Sequence, residues 1–125
     1  MRITAIALLA GIAASQPAAA VNWNFLEYGP ASRFTAEDWA LLRQHGRAAL
    51  EEAGDGEVRE WHNPASGAGG TITPLNTFER DGSTCRRTEI SNQAEDASGM
   101  TRFDFCKQAD GTWKVVSGRP AAATP

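Results

Sequence analysis

Hydrophobic positions change their period once along this chain. Trp39, Leu42, Ala49, Leu50 and Ala53 recur at helical spacing and trace one face. Thr35 ahead of them is a good N-cap. Glu37 and Asp38 fall in the first turn, where carboxylates meet the positive end of the helix dipole, and Phe34 stands where a hydrophobic staple begins. Gly54 occupies the place of a left-handed stop, so the pattern predicts one helix from Thr35 to just before Gly54. Gly46 in its middle costs about 1 kcal/mol relative to alanine and leaves room for close approach to a sheet. His45 reads as a solvated or half-buried helix residue rather than a ligand or base.

After Gly56 the period falls to two, which predicts five strands at about 57–63, 71–80, 83–91, 101–108 and 112–117. Asp81-Gly82 and Asp110-Gly111 are strong signals for two-residue hairpin turns. A two-residue turn at Asp81-Gly82 sets Phe78 opposite Cys85. Opposing Cys85 to Cys106 then brings Arg87 to Asp104 and Glu89 to Arg102, two opposite-charge pairs that a slip of one residue would lose. A two-residue turn at Asp110-Gly111 would set Cys106 against Val115 and Gln108 against Trp113. On that register one face carries Ile72, Phe78, Cys85, Cys106, Trp113 and Val115; the other carries Leu75, Ile90, Phe103, Phe105 and Val116. Both faces are partly apolar. The expected fold is α+β: one N-terminal helix packed on a five-stranded antiparallel β-meander with one disulfide. The helix covers one face, which of the two being open, and the other needs the aromatic segment before the helix or a curl of the sheet.

The first twenty residues stand apart from this pattern. Arg2 precedes an apolar run at 3–14, and Ala18-Ala19-Ala20 closes it with small residues of the kind a signal peptidase reads. The run is shorter than the roughly 20 apolar residues of a bilayer span. Residues 1–20 are expected to be a cleaved signal peptide, with a retained anchor as the alternative and no transmembrane segment in the mature chain. Residues 21–34 form an aromatic arm whose Trp23, Phe25 and Tyr28 either pack on the domain or present a binding surface. Residues 35–117 are the folded domain and 118–125 a flexible tail.

Export changes the reading of the cysteines. Cys85 and Cys106 are the two in the chain and are expected to pair in an oxidising compartment. The closed loop of about twenty residues gives roughly 3 kcal/mol of chain-entropy stabilisation. A metal site lacks the C-x-x-C spacing, and the two histidines are His45 and His62; neither metal nor cofactor is expected. The chain carries 12 Lys and Arg against 15 Asp and Glu, a net charge of −3. With no basic stripe, nucleic acid is not an expected partner.

The stretch EWHNPASGAGGTITP, at 60–74, turns between the first two strands. Pro64 biases Asn63 away from helix, and the glycines after Ser66 free the backbone. A dinucleotide loop fails here: Ile72 stands where the third glycine of G-x-G-x-x-G belongs, and a strand comes next where a helix is needed. Pro74 within the second strand marks an edge or a bulge.

Together, REWHNPASGAGGTITP, FERDGSTCRR and FCKQADGTWKVV resemble the bacterial outer-membrane surface antigen family of the seventeen-kilodalton type. The resemblance rests on Trp61, Asn63, Pro64, Gly67, Thr73, Pro74, Cys85, Arg86, Cys106, Asp110, Gly111 and Trp113, in that order, and spans about 34–116. Named antigens of that family often begin with a lipid-modified cysteine and a glycine zipper. This sequence departs from them in both, so the resemblance carries over the globular domain alone. It implies a cell-envelope protein and brings no catalytic residues with it.

The expected function is that of an exported, non-catalytic envelope protein, an interaction or structural domain in the periplasm or at the outer-membrane surface. Its partner would be an envelope protein or a cell-wall component. Candidate binding residues are Trp61, His62 and Asn63 in the loop and Arg86 and Arg87 on the third strand, where Arg80 and Arg102 add to the cationic group. Turn geometry is the plain reading of the loop, and solvated or paired charge that of the arginines. The alternative is a small periplasmic enzyme, or a small-ligand binder using a pocket between helix and sheet. Against catalysis, both cysteines are expected to be oxidised and Ser66 lacks a nucleophile-elbow context.

Overall fold

The structure, a computed structural model, describes residues 29–120. The expected leader at 1–20, the arm at 21–28 and the tail at 121–125 lie outside the described residues. A 3-10 turn, Gly29–Arg33, leads into helix α1, Ala36–Glu52. Strands β1 (Arg59–His62), β2 (Gly69–Arg80), β3 (Ser83–Ala94), β4 (Ala97–Lys107) and β5 (Trp113–Pro120) come after it. They pair antiparallel in sequence order, the expected meander. Two boundaries differ from expectation: 29–33 coil into a turn instead of extending, and β5 takes in 118–120, expected as tail.

The start of α1 forms as its sequence dictates. The Asp38 N–H donates to Thr35 Oγ1 at 3.1 Å and the Thr35 N–H to Asp38 Oδ2 at 2.8 Å, a reciprocal capping box. Phe34 stacks edge-on against Trp39 at 5.3 Å, completing the staple. The other end is a correction. Gly54 is not left-handed; the helix stops at an extended Ala53, and the positive φ belongs to Gly56. The carbonyls exposed there are met from the sheet. Arg86 of β3 donates through Nη1 to the Ala49 oxygen at 3.2 Å and the Leu50 oxygen at 3.0 Å. The last turn of α1 has no basic residue of its own, so the cation that favours a helix C-terminus comes from β3.

Asp81-Gly82 makes the expected two-residue turn, with φ of 51° and 79°. Phe78 opposes Cys85, and the Cys85–Cys106, Arg87–Asp104 and Glu89–Arg102 pairings all form. Cys85 and Cys106 are disulfide-bonded. Beyond 91 the strands outrun the expected bounds: β3 and β4 continue through 92–100 and turn at Glu95-Asp96.

The last hairpin is a correction as well. Asp110-Gly111 closes a longer turn, in which the Gly111 N–H bonds the Gln108 oxygen at 2.9 Å and the Gln108 N–H the Thr112 oxygen at 2.7 Å. Cys106 therefore opposes Lys114, and Lys107 opposes Trp113. Past Phe105–Val115 the pairing skips Val116, and from Asp104–Ser117 it keeps the expected register. A second bulge skips Leu75 between Pro74 and Asn76.

These two bulges re-sort the faces. Each extra residue turns the rest of its strand to the opposite side of the sheet. Ile72, Trp113 and Val115 therefore leave Phe78 and the cysteines and join Ile90, Phe103 and Phe105. That shared face meets α1, where Leu42, Ala49 and Leu50 pack with Ile72, Ile90, Phe105 and Trp113 in one core. Leu42, Ile72 and Phe105 are 0 % exposed, each contributing about 1.5–3 kcal/mol by burial. Trp113 Nε1 donates to Glu51 Oε1 at 2.8 Å, fixing β5 to the helix. On the opposite face Phe78 lies beneath the Arg80 and Arg87 guanidiniums at 5.3 and 6.0 Å.

Candidate functional site

The β1–β2 loop looks permissive in sequence and is pinned in the structure. Asn63 is 1 % exposed. Its Nδ2 donates to Asp38 Oδ1 at 2.7 Å, and Ser66 Oγ donates to the same oxygen at 2.6 Å. Asn63 Oδ1 accepts from the Ala65 N–H at 3.1 Å, and the Asn63 N–H donates to the Ala68 oxygen at 2.9 Å. Asp38, itself 1 % exposed, thus joins the helix N-terminus to the loop. Burial alone pushes its carboxyl pKa up, but hydrogen bonds from Ser66, the Thr35 backbone and Asn63 outweigh that and hold it below the ordinary aspartate value.

A depressed folded pKa stabilises the fold above the ordinary aspartate range, and the contribution drains away as pH falls through the folded pKa. Asp104, held low by Arg87 and Ser117 against burial, acts in the same direction. Urea midpoints should stay level from neutral pH to about 5 and fall below about 4. Asp38→Asn should lose about 1–3 kcal/mol at neutral pH and flatten the acid slope. An unchanged slope in that variant would show that Asp38 is not a source of the acid sensitivity.

The five predicted binding residues do not form one site. Trp61 points inward, 2 % exposed, with Phe34 edge-on at 5.3 Å. His62 is exposed at the end of β1. Asn63 is spent on the loop. Arg86, 6 % exposed, is turned under the helix, where it also reaches Asp55 Oδ1 at 2.9 Å and Thr77 Oγ1 at 3.1 Å. Its neighbour Arg87 lies on the other face, bonded to Asp104 through Nε at 2.9 Å and Nη2 at 3.3 Å. Arg80 joins the same carboxylate at 3.7 Å, and Arg102 pairs with Glu89 at 2.9 Å. The arginines are thus a ladder of ion pairs on one face, with Arg86 set apart on the other.

Trp61 and His62 do line an open groove of about 630 Å³ at the end of the sheet. Trp61, Gly70, Asn92 and Gly99 oppose one another in a row across four strands. The row needs its glycines: a β-carbon at Gly70 would collide with the Ser91 carbonyl and stand 2.8 Å from Asn92 Oδ1, and one at Gly99 would stand 3.2 Å from Pro30. Trp61 Nε1 and Asn92 Oδ1 are buried with no hydrogen-bond partner among the described residues. Each such orphan costs about 1–3 kcal/mol. Thr88 Oγ1 and Arg59 Nε are also unpartnered but lie outside the groove lining. Asn92 and Gly99 lie between the expected third and fourth strands, and no short-range signal marks them; only the pairing of four strands puts them beside Trp61.

Residues 48–114 of this chain, 67 of its 125, match the 17 kDa outer membrane surface antigen family. The chain belongs to that family. The 17 kDa surface antigen of Rickettsia prowazekii (strain Madrid E) is 34 % identical over 82 residues, 65 % of this chain and 52 % of that protein. The 17 kDa surface antigen of Rickettsia conorii (strain ATCC VR-613 / Malish 7) is 34 % identical and that of Rickettsia bellii (strain RML369-C) 31 % identical, each over 86 residues with the same coverage. The chain spans about half the length of the curated relatives it matches. No solved structure matches it. Among the described residues no helix is long and apolar enough to cross a membrane. The surface antigen motif, placed in the structure, marks the supports of the fold: Asn63 under the loop, Cys85 and Cys106 across β3 and β4, Arg86 under the helix, Gly111 at the last turn with φ 86°, and Trp113 on Glu51.

Proposed function

We propose that this surface antigen domain is an exported, non-catalytic protein of the cell envelope that works by binding, in the periplasm or at the outer-membrane surface. In this reading residues 1–20 are a removed leader and 35–117 the working domain. The observation that carries it is the groove at Trp61 and His62, lined by the paired strands β1–β4 beside a loop that Asp38, Asn63 and Ser66 tie to the helix. A surface fixed in advance loses little freedom when a partner docks. The buried carboxylates support a role other than catalysis. Asp38 is engaged by the cap and the loop, and Asp104 by Arg87, Arg80 and Ser117, so both serve the fold rather than acid–base chemistry. The expected partner is an envelope protein or a cell-wall component.

The test is photo-crosslinking in intact cells, with the reactive group placed at exposed His62 or, as a control away from the groove, at exposed Glu79. Capture of the same envelope component from position 62 and not from 79 is the expected result. Equal capture from both, or none from 62, would overturn binding through the groove.

A further inference from the structure

The outer edge of β1 carries a self-complementary pattern, and we propose that the protein pairs there with a second copy of itself, β1 against β1 about a two-fold axis. This goes beyond the groove reading, because the pairing lies in the plane of the sheet and leaves the open face of the groove uncovered. β1 ends the sheet on its side. The Asn63 N–H bonds the Ala68 oxygen at 2.9 Å, and β1 pairs with β2 in continuous register from there. Bonded and non-bonded positions alternate along an antiparallel pair, so Trp61 and Arg59 bond inward to Gly70 and Ile72. Glu60 and His62 therefore aim their backbone N–H and C=O groups outward. Among the described residues none bonds those groups, and both residues are exposed.

Register decides the partner. Centred on Trp61, Glu60 of each copy stands opposite His62 of the other. All of these residues carry outward groups, so each pair exchanges two backbone bonds. Each carboxylate also faces an imidazole that can donate to it. The same register brings Val58, 57 % exposed, towards exposed Pro64 of the second copy, apolar surface against apolar surface. Trp61 falls at the axis with its ring on the helix side, beside Phe34, and takes no part in the open-face contacts. The neighbouring registers fail. Centring on Glu60 sets two carboxylates face to face. Centring on His62 opposes Glu60 to Pro64, which has no N–H to give. A shift of one residue aims outward groups at inward ones. Any extended strand could take the backbone bonds of this edge, but β1 and its flanks supply both halves of the side-chain match, as a two-fold interface requires.

The experiment is sedimentation equilibrium of the full, disulfide-intact protein over a concentration series. A short strand makes a small, weak interface, so the series runs to about 1 mM. Amide chemical shifts over the same range locate the contact. A reversible monomer–dimer equilibrium is expected, with concentration-dependent shifts at Glu60 and His62. His62→Pro removes an outward donor and no bond to β2, and should raise the dissociation constant by about tenfold or more. Glu60→Lys should weaken the dimer as well. Adding His62→Glu to it should restore association, because opposite charges again face each other across the same pairs. A monomer at every concentration would overturn the proposal and leave the groove reading standing. A dimer undiminished by either single variant, a double variant no better than Glu60→Lys alone, or shifts confined to another surface would overturn it too. If His62→Pro fails to fold, the charge reversal on the exposed face still decides.

Discussion

Arg86→Met is expected to destabilise the fold by about 2–3 kcal/mol, mainly the loss of charge-assisted hydrogen bonds from a buried guanidinium to the helix end, since the Asp55 left behind is half-exposed. Methionine fills much of the volume and restores none of the bonds. The Leu50 oxygen would lose the Arg86 donor at a helix end with no basic residue of its own, the Ala49 oxygen would keep only the Ala53 N–H, Thr77 Oγ1 would lose the Arg86 donor, and Asp55 would keep only Thr77. Arg86→Lys should recover only part of the loss, because one ammonium cannot reach two helix carbonyls, a hydroxyl and a carboxylate in the fork geometry of a guanidinium. Urea denaturation gives the measure: a lower midpoint with an unchanged slope, since the unfolded chain is unaltered. A loss below about 1 kcal/mol, the range of a surface ion pair, would show that the helix end is satisfied without Arg86.

Removing the disulfide in a Cys85→Ala, Cys106→Ala double variant is expected to cost about 3 kcal/mol, within the 2–5 kcal/mol usual for small exported domains. The mechanism differs from that of Arg86. The 21-residue separation matters mostly in the unfolded chain, which the crosslink keeps compact. Opening it should therefore raise the urea slope as well as lower the midpoint. The two cysteines are 0 % and 5 % exposed, so alanine also leaves a small packing defect. An unchanged slope would place the whole effect in the folded state. Cys85 and Arg86 are neighbours on β3, so the costs of the two changes should not simply add.

The parts of the fold that could be read from the chain were those decided within a few residues. Thr35, Asp38 and Phe34 set the helix start by contacts at most five residues apart. Asp81-Gly82 set one hairpin, and opposite charges at 87, 89, 102 and 104 confirmed the register beside it. What escaped was decided at a distance. Arg86 ends the helix from more than thirty residues downstream, and local propensity cannot anticipate a tertiary cap. The bulges at Leu75 and Val116 break the strict alternation from which faces are assigned, and one extra residue is enough to send Ile72 and Phe78 to opposite sides. The candidate site divided in the same way. Trp61 and His62 were visible as unusual residues in a loop. Asn63 and Arg86 looked equally unusual because buried polar residues that brace a fold resemble, in sequence, polar residues that meet a ligand. Asn92 was invisible until β3 carried it to Gly70.

The bulge at Val116 has a consequence for life in a crowded envelope. β5 has no further strand beyond it among the described residues, and an unpaired flat edge is a template on which a neighbouring molecule can add its own strand. Skipping Val116 disrupts the even spacing of hydrogen-bonding groups and increases the local twist. Lys114, exposed beside the bulge, adds a lysine of the kind that blunts a free edge. Together they discourage strand addition at the β5 edge, which leaves the edge formed by β1 and the far part of β2 as the more open one among the described residues.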